Sequence, residues 1–317
     1  MNISGSGQVR AKSWVLLSLV AALMAPACGG SQTPAEAAQS ASNFEFAPRV
    51  GLVFRHEMKH LDEFTVPEAS FREAQEWRIL WEVRIEQQGD NYLYHRRLVE
   101  LALSVNGEPV LAGNEVTAKN AEIVQVMGRY GLALDVTGTE QLTEAIASVV
   151  PEAQRAAVAE QFSPTNLRET LLARAVDAFD DVVGKPANVG ASWPARESPG
   201  LLKPKEVRVD SALACGVTGC RKLVRSYDID QQKMGEVARR RVARFVAQQQ
   251  WDSLAVQVVE TNVTAEDSFV VEPLTCHFHD ALLKEQGRVV LQGPAGRRVE
   301  VVLTSQDSSH ADYPPPK

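Results

Sequence analysis

Five residues early in the chain could do chemistry. His56-Glu57-Met58-Lys59-His60 is a literal H-E-x-x-H. On a helix, histidines four apart lie one turn apart and can share a zinc ion, while the glutamate between them activates a metal-bound water. The neighbouring residues call for a different backbone. From Val50 the even positions read Val50, Leu52, Phe54, His56, Met58 and His60, and the odd ones Gly51, Val53, Arg55, Glu57 and Lys59. A period of two marks a strand, with the charged set facing solvent. Each strand residue advances about 3.3 Å, which separates the two histidines by about 13 Å, far beyond zinc–nitrogen bonds near 2 Å. No metal is expected at His56 and His60, and no catalytic residue is assigned.

Cys276-His277-Phe278-His279 is a second metal-like group. Read within one strand from Ser268 to Asp280, it sends Cys276 and Phe278 to one face and His277 and His279 to the other. Histidines at i and i+2 can share a metal, but no further ligand is evident, so an exposed polar face is expected. Cys215 and Cys220 flank Gly216-Val217-Thr218-Gly219, with strand-like residues on both sides. A hairpin there sets the two cysteines opposite each other, within disulfide range. Cys276 is then left over as a small buried hydrophobe. A bridge from Cys276 to either of the others is the rival pairing, because spacing alone does not determine connectivity. No G-x-G-x-x-G and no phosphate loop occur, so no cofactor is expected.

The elements that must position these residues are mostly strands. Trp77, Ile79, Trp81, Val83 and Ile85 alternate with Arg78, Glu82, Arg84 and Glu86, with Leu80 as the exception. Gly89-Asp90-Asn91 turns the chain into a run whose apolar face holds Val99, Leu101, Leu103 and Val105, and Asn106-Gly107 is a strong hairpin signal. A helical block spans residues 139–184. Thr139 is placed to cap its first helix, Pro151 to open a second, and Ser163-Pro164 to cap and open a third that carries Leu167, Leu171 and Phe179. Strands resume after Trp193. They are interrupted by Gln231–Gln250, where Met234, Val237, Ala238, Val242, Phe245 and Val246 recur at helical spacing beside Arg239, Arg240, Arg241 and Arg244. That helix is expected to pack on the sheet with a solvated basic face.

The first 27 residues carry only Arg10 and Lys12 as charges, followed by an apolar run from Trp14 to Met24. A helix rises about 1.5 Å per residue, so the run is too short for a bilayer core of about 30 Å and fits a cleaved export signal. Ala25-Pro26-Ala27-Cys28-Gly29-Gly30 follows. It resembles the lipobox of bacterial lipoproteins, which implies cleavage before Cys28, a lipid on its thiol and a place in the cell envelope, with Gly29 favouring the outer membrane. Residues 28–45 are small and polar and read as a flexible tether; residues 305–317 read as a disordered tail. Between them lies a β-rich domain, 46–304. The net charge of −7 becomes more negative once the signal cations leave, which disfavours a nucleic-acid partner.

The layout also resembles, loosely, exported bacterial proteins of unknown function. The shared features are the opening strand from Val50, the long amphipathic strands, and a helical block ending in Gly184-Lys185-Pro186-Ala187-Asn188-Val189-Gly190-Ala191-Ser192-Trp193. That resemblance brings no catalytic residues. The expected fold class is α+β, predominantly antiparallel β, a curved or barrel-like sheet with a helical insertion. Two functions fit: a non-catalytic interaction or structural module with an envelope protein partner, or a carrier whose sheet and helices enclose a lipid-like hydrophobic ligand near Trp77 and Trp81. A zinc metallopeptidase is the third and weakest. Cys28→Ala is expected to release the protein from the membrane fraction or leave it unprocessed; a variant that still fractionates with membranes at mature size contradicts the lipid anchor.

Overall fold

The computed structural model describes residues 42–111, 121–150, 152, 163–179, 181–197, 201–215, 219–251 and 256–314. The signal, Cys28, most of the tether, the helix expected from Pro151 to Phe162 and the turn at 216–218 lie outside the described residues, apart from Glu152, which is helical. Among those described, no helix is long and apolar enough to cross a membrane.

Twelve described strands form one antiparallel, open, curved sheet. They are β1 Val53–Val66, β2 Phe71–Gln88, β3 Asn91–Val105, β4 Glu108–Leu111, β5 Glu122–Met127, β6 Ala133–Thr137, β7 Ser192–Pro194, β8 Leu202–Leu213, β9 Cys220–Ile229, β10 Gln257–Val271, β11 Phe278–Gln292 and β12 Arg298–Asp312. The strand order is β6-β5-β3-β2-β1-β12-β11-β10-β9-β8-β7, with β4 on β3. The first long strand and the last are therefore neighbours, and β1 joins the two halves of the chain. The end strands β6 and β7 are not hydrogen-bonded to each other, so the sheet is curved rather than closed.

The alternation in β1 is realised along its whole length. Phe54, His56, Met58, His60, Asp62, Phe64 and Val66 are buried on one face. Two apolar cores lie on that face. Phe54 and Met58 join Trp77, Trp81 and Tyr94 under α1 Thr139–Val149 and α2 Pro164–Phe179. Phe64 and Val66 join Val299, Val301 and Leu303 under α3 Gln231–Arg241 and α4 Ala243–Gln248. The residues of β1 between the cores, His60 and Asp62, are polar.

The helical block spans the gap between the sheet edges. Helix α2 packs on β6. Just past its C-terminal end, the Asp181 carbonyl accepts from Trp193 Nε1 of β7 at 2.6 Å, and its carboxylate pairs with half-buried Arg225 of β9 at 3.1 Å. Ser163 Oγ accepts from Asn166 N–H at 3.3 Å, the cap expected there. Thr139 is not a cap: Gly138 precedes α1 at φ 83°, where an added Cβ would lie 2.1 Å from the Glu122 carbonyl oxygen. The close approach of α1 to β5 thus requires glycine.

Three boundaries differ from the sequence reading. Residues 42–45 are not tether: Phe44 is buried and its N–H donates to the Lys185 carbonyl at 2.8 Å. Residues 305–312 are not tail: β12 continues to Asp312, because β1 supplies partners from Thr65↔Val302 to Arg55↔Asp312. The strand expected from Ser268 to Asp280 is two strands, split by a turn at 272–277 in which Cys276 takes φ 46°.

Candidate functional site

The H-E-x-x-H residues lie on β1, with no helix to bring the histidines together. His56 pairs in register with Trp81 and His60 with Trp77. Glu57 faces away from both. It pairs with Lys59 at 2.9 Å and with Arg78, which also reaches Glu100 at 2.7 Å. Burial pushes the Glu57 carboxyl up, but the hydrogen bonds from Lys59 and Arg78 outweigh it and the carboxyl sits below its usual range. It is the hub of a surface ion-pair ladder, not a base beside a metal.

Inside, the polar residues of β1 serve two arrangements. His60 Nδ1 lies 2.9 Å from Asp307 Oδ1 of β12, and its ring stacks on Trp77 at 5.3 Å. Asp62 pairs with Arg241 of α3, whose guanidinium lies 5.4 Å from the Phe64 ring centroid. Burial raises the Asp62 carboxyl and Arg241 pulls the other way. These two pairs form a charge-paired polar seam between the cores, although Arg241 Nε has no hydrogen-bond partner, and they account for one of the arginines expected on a solvated face.

The second arrangement is not satisfied. Arg96 of β3 is 2% exposed and makes no ion pair with any described carboxylate, and its Nε and Nη1 lack hydrogen-bond partners. Burial pushes its guanidinium down to about 10, with Tyr94 and Tyr313 pulling the other way, so it stays cationic at neutral pH. His56 Nδ1, Trp81 Nε1 and Gln125 Nε2 are buried without partners as well. The register places them together. Phe54, Val83, Arg96 and Ile123 form one row across β1, β2, β3 and β5; His56, Trp81 and Leu98 form the next, and Gln125 sits opposite Tyr94. Tyr313 packs on Phe54 at a tilt, with centroids 4.7 Å apart. The result is a donor-rich patch with aromatic walls and a buried positive charge.

Sequence reading missed Arg96 for a physical reason. Following the odd-numbered apolar face of β3 from Val99 to Val105 puts Arg96 outside. A bulge opposite Leu80/Trp81 skips Val99, so the inner face runs Tyr94, Arg96, Leu98 and then Leu101. Leu80, the one break in the alternation of β2, was the visible sign.

The turn at 272–277 holds the other group. His277 is fully buried rather than on a solvent face, because the left-handed Cys276 breaks the alternation. Burial lowers the His277 imidazole to about 4, against the pull of Glu272. Glu272, one residue beyond β10, faces both His277 and His279. Cys215 and Cys220 lie at disulfide-bonding distance across their hairpin, Cα–Cα 5.5 Å, and Cys276 is a free, buried thiol that burial pushes well up. On the outer face a groove of about 310 Å³ crosses β10, β11, β12 and β1, lined by residues that include Glu57, Lys59, Asp280 and His310.

No family model and no curated protein matches the chain. Among solved structures it is similar to DynF from the dynemicin biosynthesis pathway of Micromonospora chersina, at 10% identity over 92% of this chain and 97% of that one, with a TM-score of 0.17. A conserved protein of unknown function with a hot dog fold from Alicyclobacillus acidocaldarius gives 11% identity over 88% and 84%, with a TM-score of 0.11. Likeness at that level assigns neither fold nor function.

Burial and the charge of Arg96 keep His56 neutral, well below its ordinary value of 6.5. The unfolded chain protonates the same ring near 6.5, so the unfolded state binds the extra proton and stability falls as pH drops below that value. Urea unfolding from pH 7 to 5 is expected to show this acid loss, and His56→Gln to flatten it by up to about 1.4 kcal/mol per pH unit. An unchanged slope in the variant contradicts a neutral, buried His56.

Proposed function

We propose that this chain is an exported lipoprotein, held at the outer membrane by the lipid on Cys28, that carries an amphipathic ligand with an anionic head inside its curved sheet. One observation carries the reading: Arg96 is buried as a cation with no acidic partner among the described residues, beside unpaired polar atoms on His56, Trp81 and Gln125. Buried water could accept from these donors, but it would leave the charge uncompensated, and an isolated buried charge is far costlier than an unpaired dipole. A carboxylate or phosphate answers both needs, and a guanidinium binds either through paired hydrogen bonds. Phe54, Trp81, Leu98 and Ile123 supply the apolar wall for the rest of the ligand. No catalytic residue is assigned.

The outer groove favours a second reading, a non-catalytic module that docks an envelope protein. It presents Glu57, Lys59, Asp280 and His310 around Val270 and Leu282, a mixed charged and apolar lining.

The carrier is tested by titrating the mature chain with a sixteen-carbon carboxylate and the matching alcohol, read through tryptophan fluorescence because Trp81 adjoins Arg96. The carboxylate is expected to saturate one site and bind at least about tenfold more tightly than the alcohol, since hydrogen bonds to a charged group contribute about 1.5–3 kcal/mol. Arg96→Met is expected to abolish that preference while raising the melting temperature of the ligand-free protein, because it removes a buried unpaired charge. Equal binding of acid and alcohol, or a variant that loses stability and keeps the preference, contradicts the reading.

A further inference from the structure

The geometry points to a second site: we propose that Glu272, His277 and His279 bind one divalent first-row transition-metal ion. A carboxylate oxygen and two ring nitrogens from these residues all lie within 4.8 Å of one another. Glu272 Oε2 is 3.4 Å from His277 Nδ1, and Glu272 Oε1 is 3.4 Å from His279 Nε2. Ligand atoms bonded at about 2.1 Å to one tetrahedral ion stand about 3.4 Å apart, so both spacings suit a shared ion.

The atoms are also left over. Glu272 is 1% exposed and His277 0%, and neither ring nitrogen of His277 nor Nε2 of His279 has a hydrogen-bond partner. No Lys or Arg forms an ion pair with Glu272 among the described residues. The buried carboxylate faces two imidazoles and no Lys or Arg, and a metal ion between the three groups supplies a cation while using the free nitrogens.

The cage is held by its own turn. Glu272 N–H donates to the His277 carbonyl at 2.9 Å, and Cys276 N–H to the Glu272 carbonyl at 2.8 Å. The Thr275 hydroxyl donates to Glu272 Oε2 and accepts from His277 N–H at 3.2 Å. Tyr313 lies parallel to the His277 ring at 4.5 Å and packs on His279 at 4.8 Å. These contacts fix the carboxylate and one imidazole, the outer-shell support that bound metals need. Only His279 is partly exposed, which gives an entry side and leaves a coordination position open. Two histidines and one carboxylate suit zinc or ferrous iron, and exclude calcium and magnesium, which prefer oxygen alone.

Cys215 and Cys220 stand near enough to His279 to form a rival set. Their thiols are at bonding distance from each other, and a disulfide leaves neither as a thiolate ligand. The test separates the two sets. Tag-free mature protein, stripped with a chelator and kept non-reduced, is titrated with Co²⁺ and then Zn²⁺. One Co²⁺ per chain is expected, with visible ligand-field bands, no thiolate charge-transfer band, and displacement by Zn²⁺. Glu272→Gln and the more exposed His279→Asn are each expected to weaken binding at least about 100-fold with an unchanged circular dichroism spectrum. Absence of one-to-one binding, or binding that survives His279→Asn, overturns the site. A thiolate charge-transfer band in the non-reduced protein that vanishes in Cys215→Ser also overturns it, by moving the metal to the cysteines.

Discussion

Successive side chains on a strand must face opposite ways, and β1 puts that constraint at the centre of the molecule. Its odd positions carry Arg55, Glu57 and Lys59 to the surface; its even positions, from Phe54 to Val66, are all buried. With β2 on one side and β12 on the other, every polar residue at an even position of β1 needs a partner inside the protein. His60 and Asp62 find theirs in Asp307 and Arg241, and the two apolar cores meet across that seam. His56 lies beside Arg96 and finds none through Nδ1.

The magnitudes decide how much that matters. A buried polar atom without a hydrogen bond costs about 1–3 kcal/mol. The five unpaired atoms on His56, Trp81, Arg96 and Gln125 would together cost roughly 5–15 kcal/mol, the whole net stability of an ordinary domain. Arg96 adds a buried charge to that sum. All but the His56 atom are donors in every protonation state, so the proposed ligand must present acceptors. Tyr313, one residue past β12, adjoins both this patch and the Glu272–His277–His279 turn.

Much of the scaffold was legible because alternation and turn chemistry are local. The strand from Val53, its solvent face, the Asn106-Gly107 hairpin and the Ser163-Pro164 helix start all follow from neighbours within a few residues. The Cys215–Cys220 pair at disulfide distance followed from the same logic, although the strand residue opposite Cys220 is Leu213. The candidate sites were hidden where a period breaks. One bulge at Val99 moves Arg96 to the inner face, and one left-handed residue, Cys276, turns His277 inward beside Glu272. Neither break has a glycine to announce it. Pairing between distant strands hid the rest: residues 305–312 look like a polar tail alone, yet they are a strand once β1 is beside them.

The central claim, that the buried Arg96 patch holds an anionic amphiphile, is met most directly by native mass spectrometry of the full-length protein extracted from its own cells in mild detergent. Beyond the mass of the chain and any covalent modification, the account predicts one retained adduct with the mass of an anionic amphiphile, present in the wild type and missing from Arg96→Met. Bare protein in both preparations would contradict it.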